Sequence, residues 1–175
     1  GKIIYRDICD RKLGWYEALS GDLSNRWRRW KRSLQEKFTI MRSIPTIQSK
    51  TDSIELHAFA DASKNGTAAS VYAVVRQGPH VSQGLLCSKS RLAKKSLTIP
   101  RLELVAAHMA SNLLENVTKA LNSFPIVAKV TWSDSTTALH WIKGDGCYKE
   151  FVKNRVNKIR QRNDVTWRYI NTSGN

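Results

Sequence analysis

Three acidic side chains in the middle of the chain stand where predicted strands or helices begin or end. Asp61 closes an alternating apolar segment, Glu103 lies in the first turn of a long amphipathic segment, and Asp134 closes a second apolar run. Carboxylate oxygens are the ligands that hard cations prefer, and converging carboxylates repel one another unless a cation neutralises them. If the fold brings the three together, they predict a divalent metal site, with Mg²⁺ as its natural occupant.

Each acid also has a purely structural explanation. Asp61 precedes Ala-Ser-Lys-Asn-Gly and could form a turn, Glu103 could complement a helix dipole, and Asp134 precedes Ser-Thr-Thr and could cap a helix. The sequence leaves both explanations open for each residue taken singly.

The elements that must position these acids alternate between strand and helix periodicity. Three strands, a long helix announced by Thr98-Ile99-Pro100, a fourth strand, two helices and a fifth strand predict an α/β fold with a mixed five-stranded sheet. A right-handed crossover would return the fourth strand beside the first, so Asp61 and Asp134 would become neighbours. The predicted strands are 54–60, 67–75, 81–88, 127–132 and 165–170, and the predicted helices are 98–122, 138–142 and 148–162.

The first fifty residues predict a separate tether, with residues 51–175 as the main domain. An amphipathic helix is indicated by Leu23, Trp27, Trp30, Leu34 and Phe38, with Asp22 or Ser24 as its N-cap. Its basic side chains could contact phosphates, or its tryptophans could dock on a neighbouring domain. Those basic residues are Arg26, Arg28, Arg29, Lys31 and Arg32.

Composition indicates what kind of partner the protein binds and in which cellular compartment it is found. The 175 residues carry 29 Lys and Arg against 14 Asp and Glu, a formal charge of +15, which calls for a polyanionic partner. Cys9, Cys87 and Cys147 fit neither a disulfide framework nor a zinc clamp, so we expect an intracellular protein. No segment is apolar enough for a membrane span, so we expect no membrane partner.

Four stretches together resemble the ribonuclease H domain of a BEL/Pao-type long-terminal-repeat retrotransposon reverse transcriptase. Residues 1–50, with Arg11-Lys12-Leu13-Gly14-Trp15, are similar to the connection that precedes this domain. The stretches are Leu56-His57-Ala58-Phe59-Ala60-Asp61-Ala62-Ser63, Ile99-Pro100-Arg101-Leu102-Glu103-Leu104, Trp132-Ser133-Asp134-Ser135-Thr136 and Phe151-Val152-Lys153-Asn154-Arg155-Val156.

The resemblance implies an endonuclease that hydrolyses the RNA strand of RNA–DNA hybrids with two Mg²⁺ ions, or with Mn²⁺ in their place. Asp61 would bridge both ions, and Glu103 and Asp134 would complete the shell of one. The implied partners are the hybrid and the polymerase domain of the same polyprotein. The implied location is the cytoplasm, within virus-like particles, or the nucleus.

Hybrid recognition should use shape, 2′-hydroxyl contacts and phosphates, because such a nuclease must accept any sequence. The hydroxyl and amide candidates are Ser63, Asn65, Ser135 and Thr136. A basic connection ahead of the long helix would add salt-sensitive affinity, or would simply be a solvated loop. Its members are Lys89, Arg91, Lys94, Lys95 and Arg101.

The family uses a fourth carboxylate, an Asp after the fifth strand, and a final helix that covers the sheet. The given sequence stops at Asn175, and neither Asp145 nor Asp164 fits that role by position. We therefore expect a truncated last helix and low activity from this piece. Two alternatives follow: a catalytically impaired nucleic-acid-binding or scaffold remnant of the same fold, and an unrelated basic adaptor that binds protein through its Trp-rich arm.

Overall fold

The computed structural model describes residues 1–34 and 51–171. The chain divides into two compact units, Gly1–Met41 and Arg42–Asn175. The predicted boundary near residue 50 lies outside the described residues and stays a prediction.

The first unit contains two helices, α1 (Lys2–Asp10) and α2 (Gly21–Arg32). Helix α2 buries Leu23 and begins at a different cap from the predicted one, since Ser20 is its N-cap residue. Asp22 instead binds Arg11 through paired hydrogen bonds of 2.8 and 3.0 Å. The predicted contribution of Phe38 to this helix lies outside the described residues.

The second unit is a five-stranded mixed sheet with helices packed on it, as predicted. The strand order is β3-β2-β1-β4-β5, with the first three strands antiparallel and the last three parallel. Its elements, in chain order, are β1 (Ser53–Ala62), β2 (Gly66–Gln77), β3 (His80–Leu92), α3 (Ile99–Ala120), β4 (Ile126–Ser133), α4 (Thr136–Lys143), α5 (Glu150–Arg160) and β5 (Thr166–Tyr169).

Helix α3 covers one face of the sheet and forms most of the core with it. Alternate residues of β1 and β2 are buried, as the period of two in their sequences requires. Leu56 and Val71 are fully buried with Ala110 of α3 in this cluster. A second cluster joins α3 to α4, α5 and β5 through residues such as Leu104 and Trp167.

Strand β3 is longer than the sequence pattern indicated. Lys89 and Arg91, expected in the connection ahead of the long helix, lie on this strand and pair with Ala69 and Thr67 of β2. The extension is polar and exposed, so its hydrogen bonds to β2 maintain the strand where the hydrophobic alternation has ended. The expected loop assignment of these two residues is therefore wrong.

The opposite face of the sheet carries aromatic side chains. Phe59 stacks on Trp132 with ring centroids 6.4 Å apart and meets Tyr72 edge to face. They border an open groove of about 690 Å³. Within the described ranges, none of the helices is both long and apolar enough to cross a membrane.

Candidate metal centre

The strand register brings Asp61 and Asp134 to the same edge of the sheet. Ala60 of β1 pairs with Ser133 of the parallel strand β4, and each aspartate is the next residue along its strand direction. The carboxyl ends of parallel strands share one edge, so the crossover through α3 produces this proximity from two distant segments. This is the neighbour relation that the predicted crossover implied.

Helix α3 supplies the third acid. Glu103 stands between Leu102 and Leu104, both buried, so packing of the helix on the sheet fixes its position. Three carboxylate oxygens, one each from Asp61, Glu103 and Asp134, lie within 4.8 Å of one another. The three side chains differ in solvent exposure: Glu103 is buried, and Asp61 is exposed.

The cluster lacks any neutralising partner in the part of the chain that the structure describes. Oε2 of Glu103 is buried and has no hydrogen-bond partner there. Two carboxylates at this separation repel by roughly 3 kcal/mol at an effective dielectric constant of about 20. Three hard oxygen donors with an orphaned buried oxygen fit a divalent cation, whose charge would remove that repulsion.

The pKa of Glu103 is raised, and no cation among the described residues compensates its charge. Burial, followed by the charges of Asp134 and Asp61, raises the pKa of Glu103 to about 7 from an ordinary value of 4.5. The contrast lies on the same helix, where Glu115 forms ion pairs with Lys119 and Arg162. These partners lower the pKa of Glu115 to about 2. Among the residues that the structure describes, one glutamate of α3 is thus paired with cations and the other has none.

The structural explanations offered for the three acids do not hold. The turn after β1 is formed by Ser63, whose Oγ accepts hydrogen bonds from the backbone N–H groups of Asn65 and Gly66. Helix α4 is capped by Ser135, whose Oγ accepts from Ala138 N. Glu103 is the fifth residue of α3, and the first turn of that helix holds no acid. The expected first-turn position of Glu103 was therefore wrong.

Neither Asp145 nor Asp164, the two aspartates weighed as a fourth ligand, joins the cluster. Asp164 precedes β5 and pairs with Lys129, whose neighbour across the sheet is Leu56, five residues before Asp61. Asp145 lies exposed in the loop between α4 and α5. The cluster found among the described residues comprises three acids.

The residues predicted to contact nucleic acid differ in exposure and in their hydrogen bonds. Ser63 and Ser135 have their hydroxyls engaged in the turn and the cap described above, whereas Asn65 and Thr136 are exposed next to them. Lys89, Arg91, Lys94 and Lys95 are exposed on β3 and the connection that follows it. Arg101 is half-buried, with its guanidinium 5.4 Å from the centre of the Phe151 ring.

Sequence reasoning missed a groove beside the acids. It has a volume of about 340 Å³ and lies between the start of α3, the face of α4 and the start of α5. Arg101 and Thr137 line it, two residues before Glu103 and three after Asp134, together with Trp141, Tyr148 and Lys149. A signal was present, since Trp141 and Tyr148 flank the glycines that break the helical pattern, but only the fold brings them to the start of α3.

The family model of the Pao retrotransposon-like RNaseH-like domain matches residues 1–135 of the 175 in the chain. The chain belongs to this family. The match spans the first unit and the part of the second that contains all three acids, so the resemblance read from the motifs is confirmed. No curated protein sequence matches the chain.

Solved structures similar to this domain include a retroviral polyprotein and two ribonucleases H. The foamy viral protease-reverse transcriptase in complex with dsDNA has a TM-score of 0.51 at 12% identity, covering 95% of this chain and 32% of that chain. LC11-RNase H1 in complex with RNA/DNA hybrid has a TM-score of 0.45 at 17% identity, covering 70% of this chain and 88% of its own. RNase H1 from Halobacterium salinarum NRC-1 has a TM-score of 0.42 at 13% identity, with coverages of 70% and 88%. The likeness to the viral protein is one of fold, and the family model describes that fold as RNaseH-like.

Proposed function

We propose that this Pao-family domain is a divalent-metal-dependent endonuclease that hydrolyses the RNA strand of RNA–DNA hybrids within a retrotransposon reverse transcriptase polyprotein. The observation that carries the proposal is the meeting of Asp61, Glu103 and Asp134 within 4.8 Å without a compensating cation among the described residues. The chain has a formal charge of +15, yet no basic side chain among the described residues forms an ion pair with these three acids.

The three acids would hold Mg²⁺ or Mn²⁺, one ion or two. When bound, the metal supplies an activated water and charge stabilisation for phosphodiester hydrolysis. The chain's own part is to fix three oxygens at the sheet edge. Glu103 is anchored by its buried neighbours, and exposed Asp61 leaves the edge open to a large substrate. Because a raised pKa of Glu103 means that a proton competes for this carboxylate, metal binding should strengthen as pH rises through about 7.

Substrate binding would be independent of base sequence. Exposed Lys94 near the start of α3, and Arg101 and Lys149 in the groove beside the acids, would contact phosphates. Asn65 lies in the turn after β1 and Thr136 is the first residue of α4, close in sequence to Asp61 and Asp134, where a hydroxyl of the RNA strand could be read. The polymerase domain of the same polyprotein would deliver the hybrid, in the cytoplasm or the nucleus.

A second candidate is a catalytically impaired remnant that binds nucleic acid without cutting it. The observation in its favour is the three-acid cluster itself, because the family resemblance implies four carboxylates and neither Asp145 nor Asp164 lies with the others.

Incubation with a hybrid labelled on its RNA strand, in Mg²⁺ and in Mn²⁺, tests both candidates. The given chain, a version continued past Asn175, Asp61→Asn and Asp164→Asn would be compared. Asp164→Asn is the matched control, since it makes the same change at the opposite end of the sheet. Cleavage by the continued version and by its Asp164→Asn form, but not by its Asp61→Asn form, supports the nuclease. Salt-sensitive hybrid binding without cleavage by any of them supports the remnant.

A further inference from the structure

The first unit carries a strongly charged surface that the proposed active site does not use. Four exposed cations, Arg28, Arg29, Lys31 and Arg32, lie in the last two turns of α2. We call them the α2 cationic face. Arg28 and Arg32 are four residues apart and therefore stand on the same side of the helix, about 6 Å apart along its axis.

Two acids of this unit pair with cations outside the face. Asp22 pairs with Arg11 at 2.8 Å, and Asp7 pairs with Arg26 at 2.7 Å. Within residues 1–34 and 51–171, none of the four cations of the face has an ion-pair partner. The ion pairs that tie α1 to α2 thus leave this face uncompensated.

Helix stability does not account for the whole face. Cations in a last turn complement the helix dipole, by about 0.3 to 1 kcal/mol each at most. Like charges four residues apart, such as Arg28 and Arg32, oppose that gain. The apolar side of α2 has its own function, because Leu23 is fully buried and Trp30 packs against Trp27 with ring centroids 4.9 Å apart. An external polyanion would relieve the repulsion on the other side.

We propose that the α2 cationic face binds the phosphate backbone of a nucleic-acid duplex, as a contact separate from the carboxylate cluster. The inference rests on the proposed nucleic-acid substrate but not on catalysis. Arginine forks match phosphate geometry, and a contact with phosphates alone would be insensitive to base sequence. It would hold the duplex independently of metal, so its readout is binding in the presence of EDTA.

Fluorescence anisotropy on a labelled RNA–DNA hybrid and a labelled DNA duplex, from about 50 to 200 mM salt in EDTA, tests the proposal. Each phosphate contact contributes about −0.9 to the slope of log K against log salt. Arg28→Gln with Arg32→Gln should therefore make that negative slope shallower by about 1.8 on both duplexes. Glutamine retains helix propensity, and circular dichroism checks that α2 is intact. The control is Lys153→Gln with Lys158→Gln, which removes two exposed cations from α5.

If the salt dependence becomes shallower in the α2 variant alone, the proposal is supported, whether or not the protein cleaves the hybrid. If the salt dependence became equally shallow in both variants, affinity would follow overall charge, and the proposal would be overturned. An unchanged slope for the α2 variant, combined with weaker retention on immobilised polyglutamate, would assign the face to an acidic protein and would also overturn it. Failure of cleavage with this binding intact would count against the nuclease alone.

Discussion

Replacing Glu103 with glutamine should make the metal-free protein more stable at pH 8. Burial and the two neighbouring aspartates raise the pKa of Glu103 to about 7, against 4.5 for an ordinary glutamate. Between these values the folded state binds a proton that the unfolded chain has released, so stability is lost as pH rises from about 4.5 to about 7. A neutral amide in the same place removes that loss, and its N–H can donate to a neighbouring carboxylate.

The magnitude follows from the size of that pKa difference. At about 1.36 kcal/mol per pH unit, the ionised form is disfavoured by about 3.4 kcal/mol at most. Water around exposed Asp61 screens the repulsion, so we expect a gain of about 2 kcal/mol at pH 8. Urea unfolding of the parent and Glu103→Gln in EDTA, at pH 5 and pH 8, measures it. The two proteins should have similar stability at pH 5 and separate at pH 8.

Glu115→Gln is the matched control on the same helix. Ion pairs with Lys119 and Arg162 lower the pKa of Glu115 to about 2, so this change should destabilise the protein at pH 8. That loss should shrink as pH falls from about 4.5 toward 2. The reasoning about Glu103 would be refuted if Glu103→Gln were no more stable than the parent at pH 8, or if its advantage did not depend on pH.

Three further predictions concern metal, pH and packing. Saturating Mg²⁺ at pH 8 should raise the melting temperature of the parent and of Asp164→Asn but not of Asp61→Asn, which differential scanning fluorimetry will show; equal shifts in all three would contradict a site at Asp61. Burial and the nearby cations Arg162, Lys158 and Arg155 lower the pKa of His108, so part of the stability should disappear as pH falls below 6.5. Urea unfolding between pH 5 and 7 should show that His108→Gln loses less stability than the parent as pH falls. If the two proteins had the same pH dependence, the assignment to His108 would be wrong. Leu104 is fully buried beside Glu103, and Leu104→Ala should cost about 2 to 5 kcal/mol in the same assay; a cost below about 1 kcal/mol would mean that the helix is not anchored there.

The sequence could predict the sheet and the meeting of the two aspartates, because both follow from local pattern and a general topological rule. Alternation in β1 and β2 identifies their buried faces, and handedness of the crossover brings Asp134 beside Asp61. The burial of Glu103 follows less directly. It depends on how deeply α3 settles on the sheet, which the helical period alone does not specify.

Features that depend on hydrogen bonds between distant segments could not be predicted. Residues 89–92 have no strand pattern of their own and are strand because β2 pairs with them. Asp22 was predicted as a possible helix cap, but it lies in the first turn of α2 and binds Arg11, and Ser20 is the N-cap residue. Helix α1 was also not predicted; it is only nine residues long and buries Ile4 alone.

Counting bound Mn²⁺ by electron paramagnetic resonance tests most directly whether Asp61, Glu103 and Asp134 form a cation site. Titrations at pH 8 would compare the parent with Asp61→Asn and Asp164→Asn. We predict that the parent and Asp164→Asn bind Mn²⁺ with the same stoichiometry and that Asp61→Asn loses this binding. Equal binding by all three proteins would contradict the metal centre and, with it, the proposed hydrolysis.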